Sequence, residues 1–183
     1  MKRKAMMIAV TAGTLLLAGC GGAKDGDAGG ATAAGEARAE AMPAGWKATD
    51  ACAIVDKAAA SAILKQDVSE TRLGLVHEPG AADAGTSECT YLGQDGASVA
   101  RVMTRWSPIN DNTPETMAGA RNAAASALKA FSDKPIEDVP GLGKAAFLTP
   151  GIDSLTVFIH DARMITVTVE KAPDWSAGKY LAI

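Results

Sequence analysis

The chain is poor in the residues from which metal and catalytic sites are most often built. Its 183 residues include 3 cysteines and 2 histidines, His77 and His160, and no Cys-x-x-Cys pair. A structural zinc site takes four ligands of these types, so no metal and no cofactor is expected. No serine stands in a G-x-S-x-G nucleophile elbow. An excess of basic residues is missing too: 18 Lys and Arg face 21 Asp and Glu, for a formal net charge of −3. That balance argues against nucleic acid as a partner and against electrostatic docking on an anionic lipid surface. The apolar stretch from Ala5 to Leu17 is shorter than the about 20 residues a membrane-spanning helix needs.

What the first residues do contain is a leader. Lys2, Arg3 and Lys4 precede the apolar stretch, which is the order of a secretory signal peptide, read here over residues 1–19. Leu17-Ala18-Gly19-Cys20 resembles the bacterial lipobox, in which the cysteine becomes the lipidated first residue of the mature protein. The resemblance implies a diacylglyceryl thioether and an acylated amino group on Cys20. One acyl chain anchors marginally and two or more anchor stably. The membrane is therefore an expected partner through Cys20, and the cell envelope the expected location. Gly21 is not the Asp that retains such lipoproteins at an inner membrane, which favours an outer membrane, facing the periplasm, where the organism has one.

Residues 20–45 are expected to be a flexible linker. Beyond Cys20 they are mostly Gly, Ala and charged residues, with Thr32 the only β-branched side chain. Such a composition cannot bury enough apolar area to offset its ordering entropy. As a coil it spans on the order of 25–30 Å. An Ala-rich helix over 31–41, interrupted by Gly35, is the alternative. Without Lys2, Arg3 and Lys4 the mature chain holds 15 basic against 21 acidic residues, a net charge of −6.

Residues 46–183 are one domain's worth of chain, long enough to bury a core. With Cys20 set aside, Cys52 and Cys89 remain, and in an oxidising compartment a disulfide is their simplest use. Closing a loop of nearly forty residues contributes roughly 4 kcal/mol in the chain-entropy picture. A first helix is expected after Asp50 as cap, with Cys52, Val55, Ala59, Ala62 and Ile63 as its buried stripe. Three extended runs follow, VSETRLGLVHE, SECTYLG and ASVARVMTRW, the last two joined by the tight turn QDG. Thr113, Pro114 and Glu115 are agreeing start signals for a second helix with Met117, Ala120, Ala124, Leu128 and Phe131 inward. PIEDV, KAAFLT, SLTVFIH and RMITVTVE are further strands, the last two paired as a hairpin across the HDAR turn. The fold class is therefore α+β: a two-layer sandwich of antiparallel sheet with helices on one face, with a possible αβββ pseudo-repeat.

The stretches DACAIVDKAAASAIL, SECTYL, VPGLGKAAF and LTVFIHDARMITVTV resemble a broad group of small secreted bacterial lipoproteins of unknown function. That group includes mycobacterial cell-surface lipoproteins and is similar to extracellular sensor domains of some bacterial membrane kinases. The resemblance implies a first-helix cysteine bonded to a strand cysteine, and a glycine turn before the final hairpin. It implies no catalytic residues. A long last helix is also implied, and DWSAGKYLAI, with Gly178 inside it, departs from that pattern.

Three patterns invite a catalytic reading and lose it to local geometry. Gly141 and Gly143 in VPGLGKAAF are followed by an extended run ended by Pro150, with no helix N-terminus to aim at a phosphate, so they form a corner. His160 and Asp161 are neighbours in a turn, and Glu137 and Asp138 are neighbours in a strand, where successive side chains face opposite ways. What remains is a surface. Arg101, Met103 and Arg105 alternate with Ala100, Val102 and Trp106, while Phe158 and His160 alternate with Leu155, Val157 and Ile159. An open sheet face carrying Arg101, Met103, Arg105, Phe158 and His160 is the candidate binding face, suited to an envelope protein or to a small acidic or amphipathic ligand. The expected function is non-catalytic binding. Two rivals are a carrier of a hydrophobic molecule in a cavity under the Ala-rich helices, and an envelope hydrolase using Ser154 or Ser98 near His160.

Overall fold

A computed structural model describes residues 41–130 and 132–170. The leader, the lipobox with Cys20, most of the expected linker, Phe131 and the C-terminal DWSAGKYLAI lie outside the described residues. The elements run in order: a short 3-10 turn Ala51–Ala53, α1 Lys57–Leu64, β1 Glu70–His77, β2 Gly85–Leu92, β3 Ser98–Trp106, α2 Pro114–Leu128, β4 Glu137–Asp138, β5 Ala145–Thr149, β6 Ser154–Ile159 and β7 Arg163–Val169. The seven strands form one sheet in the order β1-β2-β3-β7-β6-β5-β4, with all pairs antiparallel. The α+β class and the antiparallel sheet are those expected.

The first helix starts later than its sequence suggests. Asp50 makes no side-chain cap, and the turn it precedes closes at Ala53. Asp56 caps instead, its Oδ1 accepting from Ala59 N at 2.8 Å, so the helix phase resets and Ala60 and Leu64 become its buried residues. A carboxylate five residues inside the expected helix offers the backbone a second N-cap, and that local bond wins. The second helix needs no correction. Thr113 Oγ1 accepts from Thr116 N at 3.2 Å, Pro114 takes the first helical position and Glu115 the first turn.

The two helices take opposite faces of the sheet, not one. Ala60 and Leu64 of α1 join Cys89, Tyr91, Ala100, Val102, Leu155, Val157 and Val167 in the larger core. Met117, Ala120, Ala124 and Leu128 of α2 pack against Phe147, Phe158 and Met164, which alternate with those residues along β5, β6 and β7. The strand order still has the shape of a doubled βββ unit, with β3 and β7 meeting in the middle. A two-fold rotation that carries β3 onto an antiparallel β7 keeps each face on its own side. Helices on opposite faces therefore break the pseudo-repeat at the helix level.

Cys52 and Cys89 form a disulfide across a sequence separation of 37, tying the 3-10 turn to β2. Two buried hydroxyls support the same join. Ser87 Oγ accepts from Ala51 N at 2.9 Å and donates to Ala48 O at 2.8 Å, while Thr104 Oγ1 donates to Ala48 O at 3.1 Å. The segment ahead of the turn is thereby laid across the ends of β2 and β3. Pro43, inside the expected linker, already turns back to it, with Trp46 N donating to Pro43 O at 3.0 Å.

Candidate functional site

Arg101, Met103 and Arg105 do share the α2 face, paired across the strand boundary with Thr168, Thr166 and Met164. The arginines are occupied, however. Arg101 Nη2 lies 2.6 Å from Glu170 Oε1 with Glu88 at 4.0 Å, and Arg105 donates to Asp111 Oδ2. Burial acts on the Asp111 carboxyl to raise its pKa, but the hydrogen bond and charge of Arg105 outweigh that and hold it below the usual range. Phe158 is on the same face but not open to a partner. It is 2 % exposed, sealed under α2 with its ring centroid 6.4 Å from that of Phe147. His160 is exposed in the β6–β7 turn and belongs to another locus, at the end of the sheet. The expected open face thus loses Phe158 to the core, because α2 covers the side where it was expected to be bare.

The rival sites are separated in the same way. Ser154 opens β6 and His160 follows its last residue, so about 20 Å of extended chain lies between them. Ser98 is at the opposite end of β3 from Trp106, which borders His160. Between α1 and the sheet, Val55, Ile63, Leu64, Tyr91 and Val102 enclose about 20 Å³ of free space. That is room on the order of one water, not of a hydrophobic cargo.

The locus at the sheet end is assembled from four pieces of chain. β3 ends at Trp106, β7 begins at Arg163 directly opposite it, the turn His160–Ala162 caps both, and the segment holding Trp46 and Ala48 packs alongside. Asn112, 1 % exposed, holds the turn in shape. Its backbone N–H donates to Asp161 O at 2.9 Å, and its Nδ2 donates to His160 O at 3.1 Å and to Arg163 O at 2.8 Å. His160 itself sits at φ 54°, a left-handed conformation that a non-glycine residue adopts at some cost.

The glycine corner completes the frame. Gly143, at φ +63°, lies so close to β6 that a Cβ there would stand 2.5 Å from Phe158 O. The close approach lets Lys144 N donate to Phe158 O at 2.7 Å. Lys144 Nζ then reaches Asn112 O at 2.8 Å and Asp161 Oδ1 at 2.5 Å. The Lys144 hydrogen bond, and then its charge, hold the Asp161 carboxyl below its ordinary pKa. Lys144 is the counter-ion of the turn.

Two depressions meet at His160 and Asp161. One, of about 240 Å³, is lined by Pro43, Trp106, His160, Asp161, Ala162 and Arg163. The other, of about 400 Å³, is lined by Gly143, Lys144, Ile159, His160 and Asp161. The first has an unusual polar balance. Trp106 is 7 % exposed, and the Nε1 atoms of Trp106 and Trp46 are both buried without a hydrogen-bond acceptor. A buried donor left without a partner costs about 1–3 kcal/mol, and indole N–H groups normally find one. The guanidinium of Arg163 lies over the Trp46 ring, 5.4 Å from its centroid. Sequence reasoning placed Trp106 on the inward side of β3 but missed the locus, because its members come from three stretches spread between Pro43 and Arg163 and share no motif. An advance sign is that Trp106 closes the extended run ASVARVMTRW.

Among the described residues no three His, Cys, Asp or Glu side chains gather as a metal site, and no helix is long and apolar enough to cross a membrane. No known family model matches the chain, and neither a curated protein nor a solved structure matches it.

Proposed function

We propose that the protein is a lipid-anchored component of the cell envelope whose α+β domain binds a ligand without chemically changing it. The lipobox-like Leu17-Ala18-Gly19-Cys20 supports the anchor, and likeness to small secreted lipoproteins and to extracellular sensor domains supports the placement. The single observation that carries the binding role is the depression bordered by Trp106, His160 and Arg163. It is framed by a disulfide-stapled segment and an asparagine-clamped turn, so its walls are held in place before any ligand arrives. Pre-set walls are what a binding site needs, since ordering them on contact would consume affinity.

Two measurements test this. Cys20→Ser should move the protein from the membrane pellet to the soluble fraction; retention in the pellet would remove the anchor. Native mass spectrometry of the wild-type protein, extracted from its own envelope, should show a bound mass that Arg163→Gln loses. Bare protein in both samples would count against a ligand at this end of the sheet.

A further inference from the structure

The geometry points to an oxyanion site at the end of the sheet, in which a carboxylate or phosphate group is held by the Arg163 guanidinium in the depression that Trp106 also lines. It deepens the ligand-binding reading and rests on it. The first observation is the pair of buried indole donors without acceptors, Trp106 Nε1 and Trp46 Nε1, with Trp106 lining the depression. A donor buried that deeply calls for an acceptor. The second concerns the arginines. Arg72, Arg101, Arg105 and Arg121 each have a carboxylate partner. Among the described residues no carboxylate pairs with Arg163, whose guanidinium lies over the Trp46 ring. The planar fork of guanidinium donors matches the flat or tetrahedral face of an oxyanion, and charge-assisted bonds of this kind are the stronger ones.

The one carboxylate lining the depression does not oppose this. Asp161 is held by Lys144 at 2.5 Å, so its charge is matched locally. His160 also lines the depression and brings no acidic group to it. A net acidic chain thus carries a local site of the opposite sign. About 240 Å³ is below the usual range for drug-sized ligands, which suits one charged terminus or headgroup. Two sources have that chemistry: a free small carboxylate or phosphate, and the phosphate of an anionic lipid headgroup.

The test uses the full lipidated chain in zwitterionic detergent with its tryptophans ¹⁵N-labelled at the indole. The chain has 3 tryptophans, so the indole region is simple, and Trp106→Phe assigns the signal. Inorganic phosphate and acetate are titrated separately against chloride at matched ionic strength. The expected result is a saturable downfield shift of the Trp106 indole proton with phosphate or acetate but not chloride. Arg163→Gln should weaken the apparent affinity at least tenfold, and Arg163→Lys should recover part of it. No saturable shift, an equal shift in chloride, or a response untouched by Arg163→Gln overturns the site. Arg163 is only half-buried, so its variants keep the test decisive even where Trp106→Phe fails to fold. Nanodiscs separate the sources. A shifted signal in phosphatidylglycerol but not phosphatidylcholine discs, with no soluble anion added, assigns the headgroup; a shift only with soluble anion assigns the free ligand. If the envelope-derived bound mass persists while neither anion acts, the oxyanion site falls and the ligand-binding reading stands; if both are absent, both fall.

Discussion

Tyr91 is a side chain whose neighbours decide its chemistry. It is 1 % exposed in the larger core, and its hydroxyl donates to Val55 O at 2.6 Å, joining β2 to the chain ahead of α1. Burial first, and the Asp56 charge second, push its pKa up to about 12. In the unfolded chain a tyrosine titrates near 10. Between those values only the unfolded state sheds the proton, so stability is intact below about pH 10 and falls as pH rises toward 12, by up to about 3 kcal/mol. Urea denaturation at pH 9 and pH 11.5, read against tyrosinate absorbance, should show this loss in the wild type and much less in Tyr91→Phe. An equal loss in both would show that the phenol does not govern alkaline stability. The alternation of β2 is enough to place Tyr91 beside Cys89 on one face; its bond to Val55 is not readable, because Val55 lies between two helical pieces whose break depends on Asp56.

The same break shows how an element's limits depend on one polar side chain. Asp56→Ala removes the side-chain bond that caps α1 and should cost about 1 kcal/mol, the usual worth of an N-cap. Asp50→Ala, by contrast, should change little, since Asp50 makes no side-chain cap bond. Thermal melts of the two variants side by side check this; equal losses would restore the earlier helix start. β1 is a second case. It is a sheet edge with Leu73, Leu75 and Val76 exposed at 47, 73 and 48 %, and its pairing with β2 shifts register between Gly74 and His77. Leu75 stands at φ 50°, so the edge bends out of the flat geometry that would let another strand add to it. Periodicity announces β1 as a strand, but an edge and a centre strand read alike in sequence until the pairing order is known.

At the scale of the molecule, the disulfide and the Ser87–Thr104 hydroxyls fix the leading segment across the sheet, and that segment supplies Trp46 to the site. Replacing Cys52 and Cys89 by alanine frees a loop of separation 37 and should cost roughly 4 kcal/mol in the chain-entropy picture. A denaturant midpoint that does not move would mean that the hydroxyl bonds and core packing suffice alone. Alternation, caps and turn chemistry are short-range properties of the chain, and by themselves they determined the second helix, the presence but not the start and phase of the first, the strands, the hairpin, the α+β class and which strand residues share a face. The tertiary structure alone decided which face each helix covers. Both faces of β5 and β6 are apolar enough to accept one, and the loops leading into α1 and α2 send them to different sides. That choice buried Phe158, left Arg101 and Arg105 to carboxylates, and brought Trp106, His160, Lys144 and Arg163 together at the sheet end. No short-range pattern encodes such a meeting, because it depends on β3 and β7 lying side by side across more than fifty residues of intervening chain.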